Sequence, residues 1–155
     1  MPRKSAGLLV YRLKNGCPEV FLGHPGGPFY TKKDLGVWTI PKGEFELEKP
    51  LAAAKREFKE ETGFKVTGKF VDLGPVKQKS GKMVFAWAVE SDFDSSKVKS
   101  NMFALEFPPG SGNFREYPEI DRGEWFTMDL AKQKILTYQL PFISRLHDIL
   151  KSSSK

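Results

Sequence analysis

Apolar residues follow two rhythms along this chain. In SAGLLVYRL, Ser5 to Leu13, Ala6, Leu8 and Val10 alternate with Gly7, Leu9 and Tyr11. Both sets are small or apolar, which predicts a strand buried largely on both faces. NGCP marks a turn, and EVFLGH, Glu19 to His24, reads as the hairpin partner. PGGPFYTKKDLG is a Gly/Pro-rich loop, and VWTI, Val37 to Ile40, is a short strand that Pro41 stops. Pro50 to Thr62 has the marks of a helix: Pro50 in its first turn, Ala52 to Ala54 to propagate it, and Gly63 to end it. FKVTGKFVDLGPV reads as a broken strand and KMVFAWAVE, Lys82 to Glu90, as a clear one. After the loop SDFDSSKVKSN comes another strand candidate, MFALEFP, and then GEWFTM, Gly123 to Met128, as a short strand or turn. In the stretch from Asp129 to Leu150, Leu140, Ile143, Leu146, Ile149 and Leu150 recur at helical spacing. Strands and helices mixed in this way predict an α+β, layered α-β-α fold. With no repeat and no linker, residues 1–150 are expected to form one domain and 151–155 a disordered end.

Composition narrows the class. The 155 residues suit a single core. There is no long apolar run, so no membrane span is expected, and Arg12 and Lys14 interrupt the N-terminal apolar stretch too soon for a signal peptide. The one cysteine, Cys17, has no internal partner, so a reducing cytoplasm is the default setting. Cys17 itself reads as an inert thiol in a turn. A net charge of +6 favours anionic partners such as nucleotides. The lysines are dispersed, without a polybasic arm, so solvated surface accounts for most of them.

The helix carries the chemistry. Glu57, Glu60 and Glu61 are spaced i, i+3 and i+4 and share a face beside an apolar stripe of Leu51, Ala54 and Phe58. Ala53 leaves room next to them, and Arg56 lies one turn before Glu60. Carboxylates crowded together repel unless a cation neutralises them, and oxygen-only ligands suit Mg²⁺ or Mn²⁺. Taken alone, such a cluster reads as a solvated acidic helix face, and it is the context that turns the reading toward a site. The preceding WTIPKGEFELE supplies a Pro-Lys-Gly turn whose main chain can approach a phosphate or metal, with Lys42 as a point charge for phosphate.

From Gly43 to Phe64 the chain resembles the Nudix box. Glu48 stands eight residues before Arg56, and REFKEETGF, Arg56 to Phe64, fits the rest of the pattern with aromatics at both aliphatic places. The departure is upstream, where four residues separate Gly43 from Glu48 and the family pattern has five. SAGLLVYR, VFLGHPGGPF, VWTIPKGE, KMVFAWAVE and PEIDRGEWF extend the likeness to about Leu130, nearest to a branch of predicted NTP pyrophosphohydrolases. The resemblance implies an α/β/α sandwich with a mixed sheet and a loop-helix-loop catalytic motif. It implies hydrolysis of a nucleoside diphosphate linked to another group, X. It also implies Mg²⁺ or Mn²⁺ held by Glu57, Glu60 and Glu61 with a main-chain carbonyl at Lys42 or Gly43, Arg56 orienting a glutamate through Glu48 or Glu60, and Glu57 as first choice of base.

Around that core, Glu119 is the first candidate for an acid from a later loop, with Asp121 and Glu124 as rivals. Phe29 and Tyr30 are candidates to contact the base or X, and Phe114 and Tyr117 follow them. Trp38, Trp87 and Trp125 read as core. Arg12, at the end of the first strand, is a candidate phosphate contact, His24 a weaker substrate contact, and His147 structural or exposed. An NTP, an oxidised NTP or a dinucleoside polyphosphate leads as substrate, the last because the WTIPKGE turn resembles that of diadenosine tetraphosphate hydrolases. A triphosphorylated or capped RNA end is possible but not favoured, and a homodimer is possible. The alternatives are a catalytically silent Nudix-fold sensing domain, which the short Gly43–Glu48 loop would suit, and a structural protein with an acidic helix.

Overall fold

The computed structural model describes residues 3–153. The first strand, β1 (Lys4–Lys14), sits in the middle of a six-stranded sheet. It pairs antiparallel with β2 (Cys17–Pro25) and with β3 (Lys42–Phe45), and parallel with β5 (Met83–Glu90). β4 (Val71–Lys77) closes one edge on β5, and β8 (Ile120–Thr127) closes the other on β2. The sheet is mixed and has helices on both faces, which is the expected sandwich.

The double alternation in β1 explains the layering. Ala6, Leu8 and Val10 pack with Phe21, Phe45, Ala53, Ala54 and Phe58 under helix α1 (Pro50–Thr62). Leu9 points the other way and joins Val20, Trp38, Val84, Ala86, Phe142, Ile143 and Leu146 under α2 (Met128–Lys134) and α3 (Leu140–Ser153). Helix α1 ends where the sequence predicts. Gly63 adopts φ 83°, in the left-handed region that favours glycine, and its N–H donates to the Lys59 carbonyl at 2.8 Å. Among the described residues, no helix is long and apolar enough to cross a membrane.

Several elements differ from expectation. The VWTI segment forms isolated bridges instead of a ladder strand: Trp38 pairs with Ile135 and Thr39 with Gly23. Its main-chain groups are split between the end of α2 and the sheet. The expected Pro-Lys-Gly turn continues into a strand, β3, on the edge of β1. Only the second half of FKVTGKFVDLGPV is a strand. MFALEFP contributes β6 (Met102–Glu106), which pairs with an unexpected β7 (Phe114–Pro118) as a separate two-stranded arm. GEWFTM belongs to a longer strand, β8, that pairs with β2 along its length. The tail is two helices, not one. Ile135 turns extended to meet Trp38, a 3₁₀ turn follows at Thr137–Gln139, and Pro141 opens α3. Helix α3 reaches Ser153, so the expected disordered end at 151–155 is helical for its first three residues, and Ser154 and Lys155 lie outside the described residues.

Candidate active site

Strand β3 delivers the Lys42-Gly43-Glu44 segment to the face of α1 that bears the glutamates. Gly43 lets the Glu57 carboxylate rest against the main chain of β3: a Cβ at this position would displace that carboxylate. Lys42, Gly43, Glu57, Glu60, Glu61 and Glu119 line one cleft of about 330 Å³ with Ser5, Glu44, Lys82 and Asn101.

The three box acids share a helix face but not an environment. Glu61 is buried, with 8% of its surface exposed. Burial, reinforced by the charges of Glu57 and Glu119, pushes its carboxyl up to about 9, although Lys42 pulls the other way. Burial also raises Glu57, against the pull of Arg56, and raises Glu119. Lys42 is lowered by burial and held up by the surrounding acids.

Arg56 gathers the more exposed acids. Its Nη2 and Nε donate to Glu48 at 2.6 and 2.9 Å, and Nη1 donates to Glu57 at 2.8 Å and Glu60 at 3.2 Å. It therefore pairs with both of the glutamates expected for it and with Glu57 as well. These contacts hold Arg56 protonated and the Glu48 carboxyl below its ordinary range. The short loop between Gly43 and Glu48 thus still brings Glu48 onto the helix.

The later-loop acid reaches the cleft. Glu119 leaves β7 at the rim, its N–H donating to the Asn101 carbonyl at 2.9 Å, while the Asn101 N–H donates to the Glu60 carbonyl at 2.8 Å. The rivals lie elsewhere: Asp121 is bonded to His24 Nδ1 at 2.8 Å, and Glu124 pairs in β8 opposite Leu22. His24 is fully buried, its Nε2 donating to the Lys33 carbonyl at 2.7 Å, so it fastens the loop and does not face the cleft.

Three other candidates stand outside the cleft. Arg12 lies seven residues beyond Ser5 along β1, roughly 23 Å at strand rise, and is held by Glu19 at 2.8 Å and Asp92 at 2.9 Å over the Trp125 ring. It is the start of β1 that flanks the cleft. Phe29 and Tyr30 are exposed on the loop after β2 and do not line the acid cleft. Phe29 packs edge-on against Phe107, and the loop joins the cleft rim through the Gly26 N–H, which donates to the Glu119 carbonyl at 3.1 Å. Phe114 is exposed on the arm, and Phe103 and Tyr117 face each other across it. Trp38 is core, and His147 and Cys17 are exposed. Sequence reading missed Ser5, Glu44, Lys82 and Asn101. Strand pairing sets Ser5 opposite Glu44 and Val84, and main-chain bonds to Glu60 and Glu119 place Asn101; sequence spacing discloses neither.

A divalent cation fits this donor set. The lining offers carboxylate, hydroxyl and carbonyl oxygens and holds no histidine or cysteine, and a buried carboxylate as disfavoured as Glu61 gains most from a cation. As the side chains stand, no three His, Cys, Asp or Glu groups among the described residues converge closely enough to hold one. Glu57 and Glu60 instead lean on Arg56.

A NUDIX domain family model matches residues 1–146, so the chain belongs to the Nudix family of pyrophosphohydrolases. Solved structures share the fold. The Ap4A hydrolase of C. elegans, in a binary complex, is 22% identical over 97% of this chain and 98% of its own, with a TM-score of 0.67. The NUDIX domain of Shewanella oneidensis NrtR, solved with ADP ribose, is 13% identical over 97% and 89%, with a TM-score of 0.68. A MutT protein from Methanosarcina mazei Go1 is 19% identical over 97% and 96%, with a TM-score of 0.62. Comparison with curated proteins gave no match.

Proposed function

We propose that this chain is a metal-dependent hydrolase that cleaves a pyrophosphate bond in a nucleoside diphosphate linked to another group, an NTP or dinucleoside polyphosphate first. One observation carries the reading. Glu57, Glu60, Glu61, Glu119 and Lys42 meet in one cleft, and burial there disfavours the charge on Glu61 that a bound cation would restore.

Glu57, Glu60 and Glu61, with the main chain at Gly43, would hold Mg²⁺ or Mn²⁺. When bound, such an ion neutralises phosphoryl charge and lowers the pKa of its water. The chain's own residues do the rest. Lys42 attracts and positions phosphate oxygens. Glu57, whose carboxyl is already raised, is placed to accept a proton from water within hydrogen-bond reach. Arg56 sets where the Glu57 and Glu60 carboxylates rest, and Glu48 fixes Arg56 from the loop. Glu119, fastened to Asn101, adds an acid from the opposite rim.

The neighbours' ligands support this substrate class. Ap4A and ADP ribose, named for the C. elegans and Shewanella proteins, both carry phosphoanhydride bonds between nucleoside moieties and a further group. The competing reading, a silent sensing domain, rests on one fact: Arg56 holds Glu57 and Glu60 while no three acids among the described residues converge. The deciding experiment incubates the protein with Mg²⁺ or Mn²⁺ and NTPs, oxidised NTPs, Ap4A, ADP ribose and nucleotide sugars, and identifies products by chromatography. Metal-dependent release of a mononucleotide from one class is expected. Metal binding without turnover of any class would favour the sensing domain.

A further inference from the structure

The HPGGPF stretch, His24 to Phe29, has no task in the reaction above, yet its contacts converge on one cleft residue. Glu119 is the single residue between β7 of the arm and β8 of the main sheet. Two segments grip its main chain. On one side its N–H donates to the Asn101 carbonyl at 2.9 Å, and the next N–H, that of Ile120, donates to the Ser100 hydroxyl at 3.1 Å. On the other side its carbonyl accepts from the Gly26 N–H at 3.1 Å. Gly26 is buried, and a Cβ there would overlap the Pro118 carbonyl oxygen. That oxygen belongs to the main chain and cannot swing aside, so a side chain at this position would push Pro118 and Glu119 away.

The strand is also re-aimed here. His24 lies opposite Arg122, but Pro25 lies opposite Ile120, so Asp121 is an extra residue in the β2–β8 ladder. A bulge of this kind bends its strand and redirects side chains next to it. The Asp121 carboxylate is bonded to the buried His24 at 2.8 Å, and the other ring nitrogen of His24 holds the Lys33 carbonyl at 2.7 Å. His24 thus ties the far end of the loop to the bulge, while Phe29 rests edge-on against Phe107 of the arm. We infer that the loop after β2 is a positioning device for Glu119: Gly26 through the main chain, and His24 through the Asp121 bulge, fix where the Glu119 carboxylate stands across the cleft from α1. This rests on the reading of the cleft as a hydrolytic site. It gives a task to residues that lie outside both the box and the cleft lining.

The test is a double-mutant cycle between Gly26→Ala and Glu119→Gln, read as kcat on the best substrate of the nucleotide panel with Mg²⁺. Each single variant should lose about tenfold or more, since a displacement of about 1 Å can cost 10²-fold. In the Glu119→Gln background, Gly26→Ala should cost less than about twofold, because the group it displaces is already gone. Asp121→Ala should behave as Gly26→Ala does. Asp121→Asn, whose amide offers His24 either a donor or an acceptor, should recover most of the lost kcat. Equal losses from Gly26→Ala in both backgrounds, or a Glu119→Gln variant as active as wild type, would overturn the assignment. Amide hydrogen exchange reads the same claim without turnover. In Gly26→Ala the Glu119 and Ile120 amides should exchange about tenfold faster or more, while those of Leu8 and Leu9 in β1 keep their wild-type rates. Unchanged exchange at Glu119, or a uniform rise at all four amides, would overturn the positioning role. A wild type that turns over nothing on the panel would defeat the hydrolase reading, and the exchange result would then decide on its own whether the loop holds Glu119.

Discussion

Glu61 shows how one residue changes meaning between sequence and structure. In the sequence it is the third acid of a crowded helix face. In the fold it is turned toward β3 and buried, and its carboxyl rises to about 9. An ordinary glutamate titrates near 4.3. Between those values the metal-free folded protein keeps a proton that the unfolded chain releases, so this residue makes stability fall as pH rises through that window. Glu61→Gln removes the penalty. In EDTA the variant should melt above wild type, with an advantage that grows from pH 5 to pH 9, at about 3 °C for each kcal/mol recovered. Thermal scans across that range check it, and an advantage that is flat or shrinks with pH would show that Glu61 is not disfavoured by burial. The helix wheel announced that three acids share a face. It had no means to say which of them the core would cover, because β3 does the covering.

At the scale of elements, the α1–β3 contact sets the site. Helix α1 was legible in full: proline at the start, alanines within, glycine at φ 83° to close it. So were β1, β2 and β5, whose double alternation reflects cores on both faces of the sheet. Strand β3 was not, since a four-residue edge strand beginning beside Pro41 looks like the turn it follows. The split tail was hidden for a similar reason, because Ile135 satisfies both the helical spacing and an extended bridge to Trp38. The tight packing of β3 on α1 gives its own prediction. Gly43→Ala would push a methyl into the Glu57 carboxylate. The Glu57 carboxylate is the far end of a flexible side chain and can swing aside, so stability should change by less than about 1 kcal/mol while turnover falls by about 10²-fold through misplacement of Glu57. Chemical denaturation and steady-state kinetics read both, and a variant as active as wild type would contradict the contact.

For the whole molecule, the sandwich brings segments far apart in sequence to one cleft: Ser5 from β1, Lys42 from β3, the acids of α1, Lys82 from just before β5, and Asn101 and Glu119 from the two roots of the β6–β7 arm. Sequence reasoning found the contributions of α1, β3 and the arm, because acids at helical spacing inside so long a box pattern seldom arise by chance. It placed Arg12 by its strand and missed that the far end of β1 is the one at the cleft. Phe29 and Tyr30 sit on a wall beside the cleft, not in it, tied to Glu119 through Gly26. The dispersed positive charge adds little beyond the lysines already drawn into the site.

The most direct test of the central claim compares wild type with Glu60→Gln on the best substrate from the nucleotide panel, with and without Mg²⁺. Glu60 is exposed enough that its charge contributes little to the fold. The account predicts turnover only with metal and a loss of about 10²-fold or more in the variant, with a melting temperature within about 2 °C of wild type. Turnover that ignores the metal, or a Glu60→Gln variant as active as wild type, would contradict it.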